Sequence, residues 1–188
     1  MTDSSRYPRD VQISDGSKIK IAPMTAADRD SVVAFANGLS DEDLLFLRVD
    51  ITKPEVVDGW LEQIEAGLTY SLLAKRGDDV VGYASVHQEP ARWTRRVGEL
   101  RVNAIAELRG TGLGSSLINE IFDQARALGL KKLTAHMTIE QLSARAGFKQ
   151  LGFVAEAILT DHVEDRKGEL HDLLIMSYDV EGFTSPLE

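Results

Sequence analysis

The segment Arg109-Gly110-Thr111-Gly112-Leu113-Gly114 stands between a predicted apolar strand, residues 96–104, and a predicted helix, residues 112–128. Its glycines lack Cβ atoms, so a ligand can approach the backbone closely. The first N–H groups of the helix have no acceptor inside the helix, and the helix dipole adds partial positive charge there. Arg109 adds a planar cationic donor, and the hydroxyls of Thr111 and Ser115 are further candidate donors. The segment therefore predicts a site for a phosphate-bearing ligand.

Two other glycine-rich phosphate motifs have different spacing. A dinucleotide-binding turn needs G-x-G-x-x-G, and here the third glycine comes one residue too early. A P-loop needs Gly-Lys-Ser/Thr at the start of the helix, and no lysine lies between Arg109 and Lys131. A plain connecting turn remains the third alternative. Three alternate glycines directly before a strong helix, with an arginine in front, favour a ligand site over that turn.

Apolar periodicity along the rest of the chain predicts a mixed α/β fold. It predicts about seven strands, at residues 18–22, 70–75, 80–86, 96–104, 132–136, 153–160 and 170–178. Helical spacing and capping residues predict helices at 25–39, from Ser40, from Pro54, at 112–128 and at 140–150. Early helices, a central hairpin and then alternating strands and helices indicate a mixed sheet with helices on both faces.

Composition indicates a cytoplasmic, single-domain protein. The chain has 188 residues, no cysteine and a formal net charge of −9. We expect one domain over residues 18–180, a disordered or extended N-terminus over 1–17 and a C-terminal tail over 181–188. The negative charge disfavours nucleic acid and anionic membranes as partners, and no apolar run is long enough to span a bilayer. Without cysteine or paired histidines we expect no metal site.

At the glycine-rich segment the chain resembles the GNAT superfamily of acyl-CoA N-acyltransferases. The family signature, Arg or Gln, two residues, Gly, one residue, then Gly or Ala, is filled by Arg109, Gly112 and Gly114. A later family motif is partly matched by Gln141, Ala144, Phe148 and Gly152-Phe153. The resemblance extends over residues 19–178. A weaker likeness, to the acetyltransferase domain of bacterial protein-lysine acetyltransferases, is carried by Met24, Asp28, Leu39-Ser40 and Arg48.

The resemblance implies an acyl-CoA donor, acetyl-CoA above all, held beside a central pair of strands that splay apart. It implies that the pantetheine arm pairs with the strand backbone like an added strand, and that Gln141 and Ala144 lie near the pantetheine or the phosphates. The pantetheine would lie along Val102, Asn103 and Ala104. The pyrophosphate would be held by Arg109, Gly110, Thr111, Gly112, Leu113, Gly114 and Ser115. The closing strands of this fold also support homodimers in the family.

The implied reaction is direct attack of a primary amine on the thioester carbonyl. Glu99 is the candidate base, because it stands five residues before Ala104, where protein-lysine acetyltransferases carry a catalytic glutamate. The alternative is a solvated Glu99 paired with Arg101 or Arg96. Backbone N–H groups near Asn103 and Ala104 are the candidate oxyanion donors.

Phe148 stands where many family members have a tyrosine, whose hydroxyl can protonate the departing thiolate. Three alternatives follow. The thiolate leaves unaided, since a thiol pKa of about 8 to 9 makes it a fair leaving group. A different hydroxyl serves, from Tyr83, Ser143 or Thr138. Or the chain is a non-catalytic acyl-CoA sensor or regulatory module, which is our second functional hypothesis; a nucleotide-binding module is a weaker third.

The acceptor is a small amine or a protein lysine, and the sequence does not choose between them. The acidic chain favours a cationic acceptor through long-range steering. Among the aromatic and histidine side chains, Trp60 fits the core stripe of a helix. His87 follows the hairpin strand and fits either a contact with the substrate or a surface position. Trp93 stands in a loop, where it would contact the acceptor or a partner subunit.

Overall fold

The computed structural model describes residues 6–45 and 47–181. An eight-stranded mixed sheet runs through the molecule in the order β1-β2-β3-β4-β5-β6-β8-β7. Only β5 and β6 are parallel neighbours, and the other neighbouring strands are antiparallel. The strands are β1 (Arg9–Gln12), β2 (Lys18–Pro23), β3 (Thr69–Arg76), β4 (Asp79–Gln88), β5 (Val97–Ala104), β6 (Lys132–Thr138), β7 (Val154–Glu164) and β8 (Leu170–Asp179).

Helices cover both faces of this sheet, as predicted. They are α1 (Arg29–Asn37), α2 (Asp41–Leu45), α3 (Pro54–Glu65), α4 (Leu113–Ala127) and α5 (Leu142–Gln150). Side chains alternate along each strand, so neighbouring residues of β3 enter different cores. Leu72 packs in the cluster that contains α4, and Leu73 packs in the cluster that contains α1 and α3. Within the described residues, no helix is long and apolar enough to cross a membrane.

The expected strand number of seven is one too low. Arg9–Gln12 pairs antiparallel with β2 at the edge of the sheet, inside the segment that we expected to be disordered or extended. Three of its four residues are exposed and only Val11 is half-buried, so it lacks the apolar alternation by which a strand is recognised. Backbone pairing with β2, the packing of Val11 against the core and an ion pair between Arg9 and Glu120 place it there. Residues 182–188 of the expected tail lie outside the described part of the chain.

The splayed pair of central strands is present. β5 and β6 pair only between Val97–Glu99 and Lys132–Thr134. Beyond that point β6 continues along β8 as far as Thr138, while β5 keeps its partner β4 as far as Ala104. A gap therefore opens between β5 and β6, and the chain leaves β5 at that end to enter the glycine-rich segment.

Candidate functional site

The glycine-rich segment joins the open end of β5 to α4. A short 3-10 turn, Ala106–Leu108, comes first, and Arg109 then follows in an extended conformation. Gly110 and Gly112 have φ angles of +75° and +89°, a left-handed region that side chains with a Cβ atom adopt at a cost. Gly112 is the N-cap of α4. The two glycines therefore make the reversal that aims the helix N-terminus outward.

The N-terminus of α4 is left open to a ligand. The first hydrogen bond of the helix runs from the N–H of Ser116 to the Gly112 carbonyl, so the N–H groups of Leu113, Gly114 and Ser115 have no intrahelical acceptor. Within the described residues no side chain caps the helix, and its first turn holds no acidic residue. A Cβ atom on Gly114 would meet no heavy atom within 4 Å. The space in front of these N–H groups is therefore open to an anionic group.

The other residues of the segment have distinct surroundings. Leu113 is fully buried in the core, so only its backbone can face a ligand, while Ser115 is exposed. The Thr111 hydroxyl donates to the Leu108 carbonyl at 2.6 Å, so its proton is already engaged. The Arg109 guanidinium forms an ion pair with Asp43 of α2. The arginine that the family signature assigns to phosphate is thus already paired with an acidic side chain.

Along β5, the backbone N–H and C=O groups of successive residues point alternately towards β4 and towards the gap. The N–H of Ile105 donates to a β4 carbonyl at 3.0 Å, and the Arg96 carbonyl accepts from the residue just before β6 at 2.8 Å. By this alternation Val102 and Ala104 direct their N–H and C=O groups into the gap. The N–H of Asn103, expected as an oxyanion donor, points towards β4 instead. The free strand edge suits a ligand that pairs like an added strand.

Glu99 lies where β5 and β6 begin to separate, and both of its carboxylate oxygens have partners. Arg48 donates from Nη1 to Oε2 at 2.6 Å, and Arg101 donates from Nε to Oε1 at 2.8 Å. Nδ1 of His136, on β6, lies 4.0 Å from Oε2 and 3.3 Å from Nη1 of Arg48. Glu99 is therefore the centre of a charged cluster rather than a solvated strand residue; its side chain is 16% exposed.

Burial and the neighbouring charges shift the pKa of Glu99 in opposite directions. Burial alone would raise the pKa of its carboxyl, but the hydrogen bond from Arg101 and the charges of Arg101 and Arg48 outweigh burial and hold that pKa below its ordinary value. Burial lowers the pKa of His136, and the neighbouring arginines lower it further against the attraction of Glu99. At neutral pH the cluster therefore contains an ionised carboxylate, two guanidinium groups and a neutral imidazole.

A cavity of about 180 Å³ lies beside this cluster, between the sheet and the segment that joins α2 to α3. His87 lines it rather than standing at the surface, because its ring is held by Thr69 and Ser85. Trp60 packs edge-on against Tyr83, with ring centroids 5.1 Å apart. The lining side chains of the cavity include Leu47, Arg48, Ile51, Trp60, Gln63, Tyr83, His87 and Arg101. Trp93 does not line the cavity and is 90% exposed.

The later family motif lies next to the end of β6. Gln141 precedes α5, and its Oε1 accepts from the Thr138 N–H at 3.0 Å, which closes the turn between β6 and α5. Ala144 is half-buried against the core. Phe148 is buried and packs edge-on against Phe153, with centroids 5.0 Å apart. It therefore fills the core at the position where many relatives carry a hydroxyl.

Among the three substitute hydroxyls considered, Tyr83 has the most suitable position. It lines the cavity and faces Asn103 across the β4–β5 pair. Burial raises its pKa to about 12, so the phenol keeps its proton at neutral pH. Thr138 is buried at the end of β6, and Ser143 is exposed on α5.

Sequence reasoning missed that Arg48 and His136 meet Glu99. Arg48 is 51 positions from Glu99 along the chain, and no local pattern joins them. The segment from Asp41 to Asp50 also contributes Asp43, which pairs with Arg109, and Asp50, which pairs with Arg166 at 2.5 Å. A single short segment thus contacts the glycine-rich loop, the carboxylate cluster and the β7–β8 turn.

Comparison with solved structures agrees with this geometry. The putative acetyltransferase yncA from Salmonella typhimurium, solved with its cofactor acetyl-CoA, has a TM-score of 0.77 at 21% identity, covering 90% of this chain and 98% of that chain. The GNAT domain of S. lividans PAT has a TM-score of 0.74 at 19% identity, with 91% and 96% covered. At these identities the likeness shows the fold.

A third structure is closer in sequence. Ribosomal-protein-alanine N-acetyltransferase from Brucella melitensis has a TM-score of 0.74 at 27% identity, with 85% of this chain and 98% of that chain covered. No curated protein sequence matches the chain significantly. The model of the acetyltransferase (GNAT) family matches residues 36–153, more than half of the sequence. The resemblance seen at the glycine-rich segment is therefore confirmed, and the chain belongs to the GNAT acetyltransferase family.

Proposed function

We propose that this protein is an N-acetyltransferase that moves an acetyl or other short acyl group from acyl-CoA to a primary amine by direct attack. The proposal is supported by three features that follow one another along the β5 edge of the gap. The uncapped N-terminus of α4 offers N–H groups to a pyrophosphate. The edge of β5 offers a strand partner to pantetheine. Glu99 stands at the closed end of that gap.

The residues of the chain take distinct roles in this reaction. The amine nitrogen forms a bond to the thioester carbonyl carbon, the carbon–sulfur bond breaks, and the electron pair leaves with sulfur. The N–H groups of Val102 and Ala104, which face the gap, stabilise negative charge on the carbonyl oxygen. Glu99 accepts the amine proton, directly or through a water. Tyr83, protonated at neutral pH, is the hydroxyl best placed to protonate the thiolate.

The substitution Glu99→Gln tests this assignment. Because glutamine cannot accept the proton, kcat/KM for the amine should fall by about a hundredfold or more, while CoA affinity measured by calorimetry stays the same. Steady-state release of the CoA thiol, with a panel of amines, is the readout. Glu156→Gln, at a half-exposed carboxylate on β7 paired with Lys132, is the matched control and should retain full activity.

A non-catalytic acyl-CoA sensor is the second candidate. It is favoured by the two guanidinium groups that already hold the Glu99 oxygens and by Phe148, which brings no hydroxyl. If CoA binds but no amine accelerates thiol release, and Glu99→Gln changes nothing, the sensor replaces the enzyme as the proposed function.

We further propose that the protein works in the cytoplasm and that β7 and β8 support a homodimer. The long edge strand β7 exposes Val154 and Ile158, at 43% and 60%, and such apolar edges pair readily with a second copy. Sedimentation equilibrium of the wild type and of Ile158→Lys should show a dimer that the substitution dissociates. A monomeric wild type would contradict the assembly without affecting the proposed activity.

A further inference from the structure

The cavity next to Glu99 is positively charged although the protein as a whole is acidic. Two of its lining side chains are the guanidinium groups of Arg48 and Arg101, and no aspartate or glutamate is among the described residues that line it. Glu99 balances one of the two positive charges. His87 contributes no charge, because burial lowers its pKa to about 3. The local field therefore attracts an anionic group and repels a polyamine.

Glu99 orients both arginines and leaves most of their donors unused. It accepts one bond from Nη1 of Arg48 and one from Nε of Arg101. The Nε and Nη2 groups of Arg48 and both terminal nitrogens of Arg101 donate to no residue in the described part of the chain. Guanidinium groups held in this way match the two oxygens of a carboxylate. The cluster thus has the donor set of a carboxylate-binding site.

The remaining walls of the cavity are mostly apolar. Their apolar part includes Leu47, Ile51, Val56, Trp60 and Tyr83, and the neutral polar side chains among them are Gln63, Ser85 and His87. A volume of about 180 Å³ is several times the roughly 30 Å³ that one water occupies in the liquid. That is enough for a carboxylate together with a short aliphatic side chain.

We infer that the acceptor is a small amino acid with an apolar side chain, whose carboxylate binds between Arg48 and Arg101. This inference rests on the proposed acetyl transfer and names its acceptor. The carboxylate would lie against the two arginines, the side chain would lie against Trp60, and the amine would be left beside Glu99. A cationic acceptor, which the net charge of −9 favours, finds no carboxylate among the described residues that line this cavity.

A comparison of matched acceptors tests the inference. Thiol release from acetyl-CoA is measured with leucine, leucinamide, isoamylamine, spermidine and Nα-acetyl-lysine. We expect kcat/KM for leucine to exceed that for leucinamide by about tenfold to a hundredfold, as for one charge-assisted recognition site. Leucinamide has the more readily deprotonated amine, so a preference for leucine cannot arise from amine reactivity.

Substitution of Arg101 then assigns the preference to the site. Arg101→Gln should bring leucine and leucinamide to similar kcat/KM values and leave CoA affinity unchanged, and Arg101→Lys should restore part of the preference. Arg126→Gln is the matched control, since Arg126 lies on α4 and pairs with Asp123 at 3.3 Å. It should keep the full preference for leucine.

Fluorescence of Trp60 in a Trp93→Phe background gives a second readout that does not need turnover. Leucine should change this fluorescence, and Arg101→Gln should abolish the change.

The outcomes separate the two proposals. If kcat/KM for leucinamide or spermidine equals that for leucine, and Arg101→Gln lowers kcat/KM equally for every acceptor, the amino acid inference is overturned while acetyl transfer stands. If leucine binds through Arg101 but no amine releases thiol, the inference stands and the proposed enzyme fails. If leucine neither binds nor reacts, the inference is overturned.

Discussion

At the scale of single residues, the neutral side chain of His87 is held by hydrogen bonds inside the cavity beside Glu99. Its Nδ1 lies 3.0 Å from the Thr69 hydroxyl, and its Nε2 lies 2.8 Å from the Ser85 hydroxyl. The ring also packs near Trp60, with centroids 6.4 Å apart. Both hydroxyls can bond to a neutral imidazole, one as donor and one as acceptor. Burial and the nearby Arg101 and Arg48 then disfavour the protonated ring.

This environment predicts a pH dependence of stability. His87 titrates near its ordinary pKa of 6.5 in the unfolded chain but only near about 3 in the folded protein. Between these values the unfolded state binds more protons, so the free energy of unfolding falls as the pH falls, by at most about 1.4 kcal/mol per pH unit. The stability that the neutral ring provides is present above pH 6.5 and is lost towards pH 3.

Urea unfolding at pH 7 and at pH 4.5 measures this effect. In His87→Asn the difference in the free energy of unfolding between the two pH values should be smaller than in the wild type. His162→Asn, at an exposed position on β7, is the control and should keep the wild-type difference. An unchanged pH dependence in His87→Asn would contradict the buried neutral histidine.

At the scale of elements, the N-terminus of α4 and the short helix α2 meet at Arg109. α4 offers unsatisfied N–H groups and no acidic residue, whereas α2 brings the Asp43 carboxylate to the arginine. Ser40 caps α2, as predicted, through its hydroxyl and the N–H of Asp43 at 3.2 Å. The position of Asp43 is thus set by its own helix cap. A bound pyrophosphate and Asp43 would compete for the same guanidinium group.

Gly114→Asp tests the open helix N-terminus. A Cβ atom there meets no heavy atom within 4 Å, and a carboxylate in the first turn suits the helix dipole by about 0.3–1 kcal/mol, so the fold should be as stable as the wild type or more stable. CoA affinity measured by calorimetry should nevertheless fall by about tenfold or more, because the carboxylate repels a pyrophosphate at the same N–H donors. Gly59→Asp, in an equally open position on α3, should leave CoA affinity unchanged. Equal CoA affinities in both variants would argue against binding at this turn.

Asp43→Asn tests the competition at Arg109. Removal of the carboxylate releases the guanidinium group, so CoA affinity should rise by about twofold to fivefold, the equivalent of one partly exposed ion pair. Arg109→Gln should lower CoA affinity and should cancel the gain when the two substitutions are combined. Asp41→Asn, on the exposed side of the same helix, is the control. Weaker CoA binding by Asp43→Asn would show that Asp43 supports the site instead.

At the scale of the whole molecule, one sheet separates two hydrophobic cores. The larger core packs α4 against the sheet, with Leu117 and Ile121 fully buried. The second core packs α1 and α3 against the opposite face, with Val57 and Trp60 buried. Both cores depend on the same strands, since Leu72 and Leu73 of β3 enter one each. The chain should therefore unfold as one cooperative unit.

Leu117→Ala should lower the free energy of unfolding by about 2–5 kcal/mol, because it leaves a cavity in the core beneath α4. Urea unfolding followed by circular dichroism and by Trp60 fluorescence, in a Trp93→Phe background, should give one coincident transition with and without the Leu117→Ala change. Leu142→Ala, at a leucine that is 67% exposed on α5, should change stability by less than about 1 kcal/mol. Separate transitions for the two probes would show that the cores unfold independently.

Much of the fold and of the donor site is local and could be predicted. The alternation in β3 and β4, the helical stripe of α4 and the glycines at 110, 112 and 114 act through neighbouring residues, so their patterns are visible along the chain. The edge strand Arg9–Gln12 could not be recognised, because it pairs through its backbone and three of its four side chains are exposed. The direction of the Asn103 N–H likewise depends on the register with β4.

The sequence by itself determined the family and the glycine turn before α4, because a glycine conformation and a helix N-terminus are properties of a few consecutive residues. Only the tertiary structure decided which charged groups meet at the cavity beside Glu99. It brings Arg48 across 51 positions to Glu99 and places Arg101 beside Trp60 in one cavity. The net charge of −9 gave the opposite expectation, since net charge sums over the whole surface. Recognition of an acceptor depends on the few charges that packing brings within contact distance.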